Sequence, residues 1–319
     1  MVIPLYCDRG FLRRLLDALA KQTYRSFDVI IVNKPCPDPG KDPENTVKAF
    51  KEALKIDVVE QREGYFEEAI NLGLDSLIDY DVGIYLDEDS VPLPNCVEEH
   101  VRFHEKHPDV GIVGGLNTYR LPERRINPIL RAIRRLAYRP IHRALKGYLS
   151  YFASNGMYIY NPLPESFTVV KTLSVVGFNM SIKPNAVGGF RLPGALIRGL
   201  HNEAYLAMAT VLNGYLAVMY SGALAEHREE SAESLTRANR MATALETFLS
   251  PYILENYLKL KVNRTLLRAT LWQLRIRHRG SIVYRLGSEL ALWALENRPS
   301  PGEVRARLRS YQEMLKSHK

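Results

Sequence analysis

Short apolar runs alternate along this chain with longer stretches in which apolar residues recur every three or four positions. Residues 1–6, 28–32, 56–60, 82–86 and 110–113 read as strands, and residues 11–21, 46–54 and 66–78 read as helices. In the first helix Phe11, Leu12, Leu15, Leu16 and Leu19 share one face. The Pro-rich stretch from Pro35 to Pro43 ends the second strand, and Gly114-Gly115 closes the fifth. Strands alternating with helices predict an α/β fold with a mainly parallel sheet covered on both faces. Ligands of such sheets bind at the carboxyl ends of the strands, where Tyr6, Asn33 and Asp87 stand.

The pattern changes near Asn117. Residues 118–146 hold nine Lys or Arg and a single acid, with Ile126, Ile129, Leu130, Ile133, Leu136 and Ala137 at helical spacing. This predicts a basic amphipathic helix over 127–146, suited either to packing on the main body or to an anionic membrane surface. From Leu173 the alternation resumes: 173–182 and 216–220 read as strands, and 202–213 as a helix. From Ala232 to Lys319 the chain is helical, basic and rich in leucine. The expected organisation is 1–117, a helical insertion at 118–170, a second α/β part at 171–230, and a helical region at 231–319.

Composition narrows the function. With 46% hydrophobic residues in 319, the chain is globular rather than disordered. A formal charge of +8 and a pI near 9.3 point to an anionic partner: a nucleotide, a phospholipid surface or a nucleic acid. Cys7, Cys36 and Cys96 are widely spaced and odd in number. That pattern predicts neither a disulfide framework nor a zinc knuckle, and fits a reducing cytoplasm. No signal peptide is expected, and no apolar run approaches the roughly 20 residues of a membrane-spanning helix. The expected location is the cytoplasm, with the inner membrane face as a place of attachment.

The strongest chemical feature is Asp87-Glu88-Asp89, which follows the apolar run 82–86. Adjacent carboxylates repel one another, and hard oxygen ligands suit Mg²⁺ or Mn²⁺. The plain alternative is a solvated acidic turn. Nucleic acid is not the expected partner, because these acids repel phosphate unless a metal is bound. His100, His104 and His107 share a helix face, but no acid or cysteine completes a site, so a solvated helix is expected there.

Several motifs in order resemble family 2 glycosyltransferases, which have the GT-A fold. They are Val2-Ile3-Pro4-Leu5-Tyr6, then Gln22-Thr23-Tyr24, Ala69-x-Asn71-x-Gly73 and Leu86-Asp87-Glu88-Asp89. Gly177-Phe178-Asn179-Met180-Ser181 and Gly188-Gly189-Phe190 follow. The resemblance covers residues 2–228. It implies a nucleotide-sugar donor, Mn²⁺ or Mg²⁺ on its diphosphate, and inverting transfer. Donor contacts are then expected from Pro4, Leu5, Tyr6, Asn33, Lys34, Arg62, Asp87, Glu88, Asp89, Asn179 and Arg228. The metal falls to Asp89 first, with Asp87 and His227. The family's acidic pair after Gly-Gly-Phe matches Asn202-Glu203, so Glu203 is the expected general base, with Asn202 in place of the first acid.

Two departures bear on the substrate. Asn33-Lys34 stands where many relatives carry an acid that contacts the base, which weakens a UDP donor. Val91 stands where makers of dolichyl-phosphate sugars often carry Gln, so His227 becomes the candidate third ligand. The overall look resembles archaeal GDP-mannose-dependent mannosyltransferases, which favours GDP-mannose and a lipid-linked or saccharide acceptor. The alternatives are a soluble enzyme using a UDP-sugar on a saccharide or protein, and a sugar-phosphate nucleotidyltransferase. The latter would need a Gly-rich basic loop that Cys7-Asp8-Arg9-Gly10 lacks.

Overall fold

The apolar run at the start of the chain forms β1 (Val2–Tyr6). The computed structural model describes residues 1–118, 138–227 and 240–317. After β1 come α1 (Phe11–Ala20), β2 (Val29–Lys34), α2 (Glu44–Phe50), β3 (Ile56–Glu60), α3 (Phe66–Asp75), β4 (Gly83–Leu86), β5 (Ser90–Pro92), α4 (Cys96–Lys106) and β6 (Val110–Asn117). Next are β7 (Tyr151–Phe152), β8 (Tyr158–Ile159), β9 (Val169–Lys171), β10 (Asn179–Ile182), α5 (Asn202–Leu212) and β11 (Leu216–His227). The C-terminal helices are α6 (Arg240–Glu246), α7 (Ser250–Asn256), α8 (Arg264–Arg277), α9 (Ile282–Asn297) and α10 (Pro301–Ser317).

One sheet runs β3-β2-β1-β4-β10-β6-β11-β5, with β9 on β11. β3, β2, β1 and β4 are parallel. β10 lies antiparallel between β4 and β6, while β6 and β11 are again parallel. Period-two alternation divides each strand between two cores. Ile3, Leu5, Val29 and Ile31 face Leu12, Leu15, Leu16 and Leu19 of α1. Each such leucine stabilises the fold by roughly 2 kcal/mol. Val2, Ile30 and Val32 face a larger core that reaches Leu290 of α9 and Leu308 of α10. The C-terminal helices therefore share a core with the sheet. Both faces being covered is why the strands read as apolar runs rather than alternating ones.

Motif residues hold these layers together. Gln22, fully buried, donates to the carbonyls of Ala18 and Leu93 and accepts from the Val97 N–H, which ties α1 to the start of α4. Gly73 lets α3 approach the sheet, since a Cβ there would lie 2.6 Å from Val2 Cγ1.

The structure corrects several expectations. The 173–182 run is strand only from Asn179. β11 continues past an irregularity between Met219 and Leu224, so His227 lies within the strand. Most of the predicted basic helix lies outside the described residues. Its tail, 138–146, is not α-helical: Pro140 bridges Ala153, and a 3₁₀ turn covers Arg143–Leu145. Proline lacks the N–H a helix needs and restricts the residue before it.

Cys7 and Cys36 form a disulfide. β1 and β2 end level with each other, Tyr6 opposite Lys34, so the cysteines just past those ends meet although they are far apart in sequence. Cysteine usage therefore gives no ground for a reducing compartment. Cys96 alone is free, and burial pushes its thiol up to about 12.

The expected solvated histidine face holds only for His107, which is exposed. His100 and His104 are buried. Asn179 Nδ2 donates to the Ala223 carbonyl (3.1 Å), so Asn179 Oδ1 accepts from His100 Nε2–H (2.9 Å). The Ser181 hydroxyl then donates to His100 Nδ1 (2.8 Å) and accepts from His104 Nε2–H (2.9 Å). His100 must be neutral, because its Nδ1 accepts from Ser181 while its Nε2–H donates. Burial agrees, pushing His100 down to about 4 and His104 to about 3. Among the described residues no helix is long and apolar enough to cross a membrane.

Candidate active site

β4 is buried along its length and delivers Asp87, Glu88 and Asp89 to the carboxyl edge of the sheet. The Asp87 carbonyl accepts from the Ser90 N–H (3.0 Å), closing a turn. β5 then runs antiparallel to β11 with Ser90 opposite His227. Asn117, at the end of β6, fixes the His227 backbone from both sides. Its Nδ2 donates to the His227 carbonyl (2.8 Å) and its Oδ1 accepts from the His227 N–H (3.2 Å). The Phe178 ring stacks on the imidazole at 4.6 Å.

His227 Nε2 consequently stands 3.2 Å from Asp89 Oδ1 and 4.0 Å from Asp87 Oδ2. One ligand atom from each of Asp87, Asp89 and His227 can be chosen so that all lie within 4.8 Å of one another. Neighbouring ligands around a six-coordinate ion with bonds of about 2.1 Å stand roughly 3 Å apart. Two carboxylates and an imidazole therefore fit Mn²⁺ or Mg²⁺ in both spacing and chemistry. Desolvation, then the charge of Asp89, pushes Asp87 up to about 6. Desolvation and both flanking aspartates push Glu88 to about 8. A cation is the usual compensation for such crowding.

Across the cleft lies Glu203, in the first turn of α5. Gly177 leaves room for it: a Cβ there would fall 2.2 Å from Glu203 Oε1. Desolvation pushes Glu203 up to about 7, with Asp87 adding to the rise and Arg198 opposing it. His201, just before α5, takes a left-handed backbone (φ 67°) and packs on Tyr158. Burial holds its imidazole down near about 4.

The cleft measures about 690 Å³. Of the sequence-predicted residues, Pro4, Leu5, Tyr6, Lys34, Asp87, Glu88, Asp89, Glu203 and His227 line it together. Four others stand elsewhere. Asn33 projects to the opposite sheet face from Lys34, and its buried side-chain oxygen makes no hydrogen bond. Arg62 is 84% exposed beside Glu60. Asn179 belongs to the buried histidine chain. Asn202 is buried, and its amide makes no hydrogen bond. Arg228 lies outside the described residues.

The sequence reading missed Arg9, Gln61, Tyr65, Arg198, His201, Arg309 and Gln312, all of which line the cleft. Gln61 precedes Arg62 by one position, and in extended chain one position turns a side chain to the other side. Arg309 and Gln312 come from α10 and carry no local signal. Arg309 donates to the Tyr65 hydroxyl. Lys34 donates to the Gly64 carbonyl, with its ammonium 5.7 Å from the Tyr6 ring centre and 5.1 Å from that of Tyr65. One end of the cleft is thus acidic, and another is aromatic and cationic.

A profile of the glycosyl transferase family 2 matches residues 1–162, just over half of the chain. The succinoglycan biosynthesis protein ExoW of Rhizobium meliloti is 34% identical over 121 residues, which is 36% of this chain and 38% of that protein. The chain spans well under half the length of the curated relatives it matches. Among solved structures, the mannosyltransferase PcManGT from Pyrobaculum calidifontis, in complex with GDP-Man and Mn²⁺, matches with a TM-score of 0.52. It is 16% identical, and the match covers 96% of this chain and 83% of that one. S. aureus TarS 1–349 in complex with UDP-GlcNAc matches with a TM-score of 0.54 at 13% identity, covering 98% and 90%. These likenesses show the GT-A fold.

Proposed function

This chain belongs to glycosyl transferase family 2, and from that premise we propose that it moves a sugar from a nucleoside-diphosphate donor to a hydroxyl or phosphate acceptor with inversion. One observation carries the reading. The Asp87, Asp89 and His227 group and the carboxylate of Glu203 line a single cleft, which is the arrangement displacement at a sugar carbon needs. Asp89 and His227 would hold the divalent cation, with Asp87 beside them. A bound Mn²⁺ or Mg²⁺ supplies positive charge to the departing diphosphate.

Glu203 takes the proton from the acceptor as it attacks the face opposite the leaving group. Its carboxyl, raised to about 7, is strong enough as a base and still largely ionised at mildly alkaline pH. The base of the donor lies at the aromatic end, against Tyr6 and Tyr65. There Lys34 and Arg309 offer N–H donors to a keto oxygen of guanine or uracil.

GDP-mannose is the favoured donor. Its support is the cationic Lys34 in the cleft, in place of the acid many relatives carry there, and the likeness to a mannosyltransferase in complex with GDP-Man and Mn²⁺. TarS, crystallised with UDP-GlcNAc, keeps a UDP-sugar as the second reading. A lipid-linked acceptor at an anionic membrane surface is favoured by α8, which exposes Trp272 (68%) and Ile276 (49%) one turn apart. Exposed Arg277 and Arg279 flank them. Turnover of GDP-mannose, UDP-GlcNAc and UDP-glucose with Mn²⁺ tests the donor assignment. Activity with a UDP-sugar and none with GDP-mannose overturns it.

A further inference from the structure

The segment from Leu192 to His201 lines the cleft with Ile197, Arg198, Leu200 and His201 and leads directly into Glu203, yet it forms no helix or strand. A buried irregular segment must find partners for its backbone groups. Here it finds them on side chains of three helices. Asn71 of α3 grips the start: its Nδ2 donates to the Leu192 carbonyl (2.8 Å) and its Oδ1 accepts from the Leu192 N–H (2.9 Å). Glu67, one turn earlier, accepts from the Leu196 N–H (2.6 Å). Arg305 of α10 donates to the Leu196 carbonyl (3.2 Å).

The centre of the segment depends on one residue. Glu246, at the end of α6, is fully buried. Its Oε1 accepts from the N–H groups of Ile197 (2.8 Å) and Arg198 (2.7 Å), and its Oε2 accepts from that of Leu200 (3.0 Å). Hydrogen bonds to a carboxylate are about twice as strong as neutral ones, and Glu246 gathers all three of these amides on one side chain. The carboxylate therefore sets the path of the chain on both sides of Gly199, and with it the position of Arg198 and the entry into the helix that carries Glu203.

We infer that Glu246 is a positioning residue for sugar transfer, acting through the backbone of residues 197–200 on Arg198 and Glu203. This rests on the reading of the cleft as the transfer site. It makes the C-terminal helices part of the catalytic apparatus rather than an appendage. The cation group hangs on β4, β5 and β11, so it should not feel the loss. Glutamine at 246 keeps one acceptor oxygen but replaces the other with an amide that cannot accept.

The test is Glu246→Gln in the full chain, with two readouts. Amide hydrogen exchange of peptides covering 194–202 is expected to quicken at least about tenfold, with peptides covering 83–92 unchanged. With a nucleotide-sugar donor and Mn²⁺, kcat is expected to fall about tenfold or more while donor KM stays within about threefold. Unchanged exchange, unchanged kcat, or a donor KM that rises in step with the fall in kcat overturns the inference. Should Glu246→Gln not fold, Glu246→Asp, which keeps the charge but falls one methylene short, carries the same test. A wild-type protein that uses no nucleotide sugar overturns the functional reading alone. The clamp is then decided by exchange, which needs no substrate.

Discussion

His227 Nε2 stands 3.2 Å from Asp89 Oδ1, joined to it by the antiparallel pairing of β11 with β5. Neither residue is near the other in sequence, and Asn117 is what keeps the histidine backbone in place. His227→Ala should lower Mn²⁺ affinity about tenfold or more. Asn117→Ala should lower it less, as loss of outer support for a ligand does. Electron paramagnetic resonance titration of free Mn²⁺ checks both. Equal affinity in all three proteins contradicts the ligand assignment.

Glu203 gives the reaction a pH signature. Its carboxyl is pushed up to about 7 by desolvation. Below that pH it is protonated and cannot accept the acceptor's proton, so kcat should rise with pH through about 7 and level off above. Glu203→Gln should lower transfer by roughly 10²–10⁴ and abolish that limb, with nucleoside diphosphate affinity retained. A full pH limb in the variant would remove Glu203 from the base role.

The buried histidines predict acid sensitivity. Their folded pKa values lie below the ordinary 6.5, at about 4 and 3. Below pH 6.5 the unfolded chain takes up protons that the folded one refuses. Their contribution is therefore complete above about 6.5 and is lost as pH falls towards 4, by about 2 kcal/mol per histidine at pH 5. Asp87, Glu88 and Glu203, with raised values, act in the opposite direction. A comparison of variants isolates the histidines. His104→Gln keeps an N–H donor for Ser181 and should flatten the stability loss between pH 7 and 5 by about 2 kcal/mol in urea unfolding. An unchanged slope contradicts it.

The exposed face of α8 offers its own reporter. The chain has two tryptophans, and Trp293 is covered by Arg307 at 4.2 Å. Vesicles rich in phosphatidylglycerol should shift Trp272 emission to the blue at low salt, and less so at high salt. Trp272→Ala should remove the shift. No shift with anionic vesicles contradicts membrane attachment through this face.

Much of the donor half was legible in the sequence because its signals are local. An apolar run followed by Asp87-Glu88-Asp89 is a strand delivering acids to a sheet edge, and periodicity found α1 and α3. Several residues read as chemical signature prove to be framework. Asn71 grips Leu192, Gln22 ties α1 to α4, and Asn179 anchors the histidine chain. What stayed hidden depends on closure of the chain. Cys7 meets Cys36 only because two parallel strands end level. Arg309 reaches the cleft, and Glu246 the backbone that lines it, only because the C-terminal helices share the core of the sheet. Gln61 lines the cleft while its neighbour Arg62 is exposed beside Glu60, because just past the end of β3 successive side chains point to different sides.

The central claim is a cation-dependent nucleotide-sugar site at Asp87, Asp89 and His227. Calorimetric titration of GDP into the protein, with Mn²⁺ and then with excess chelator, in the wild type and in Asp89→Ala, tests it most directly. The account predicts binding in the wild type with Mn²⁺, at least about tenfold weaker in chelator and in Asp89→Ala. Binding of the same strength in all cases, or no binding of GDP or UDP with Mn²⁺ present, would contradict it.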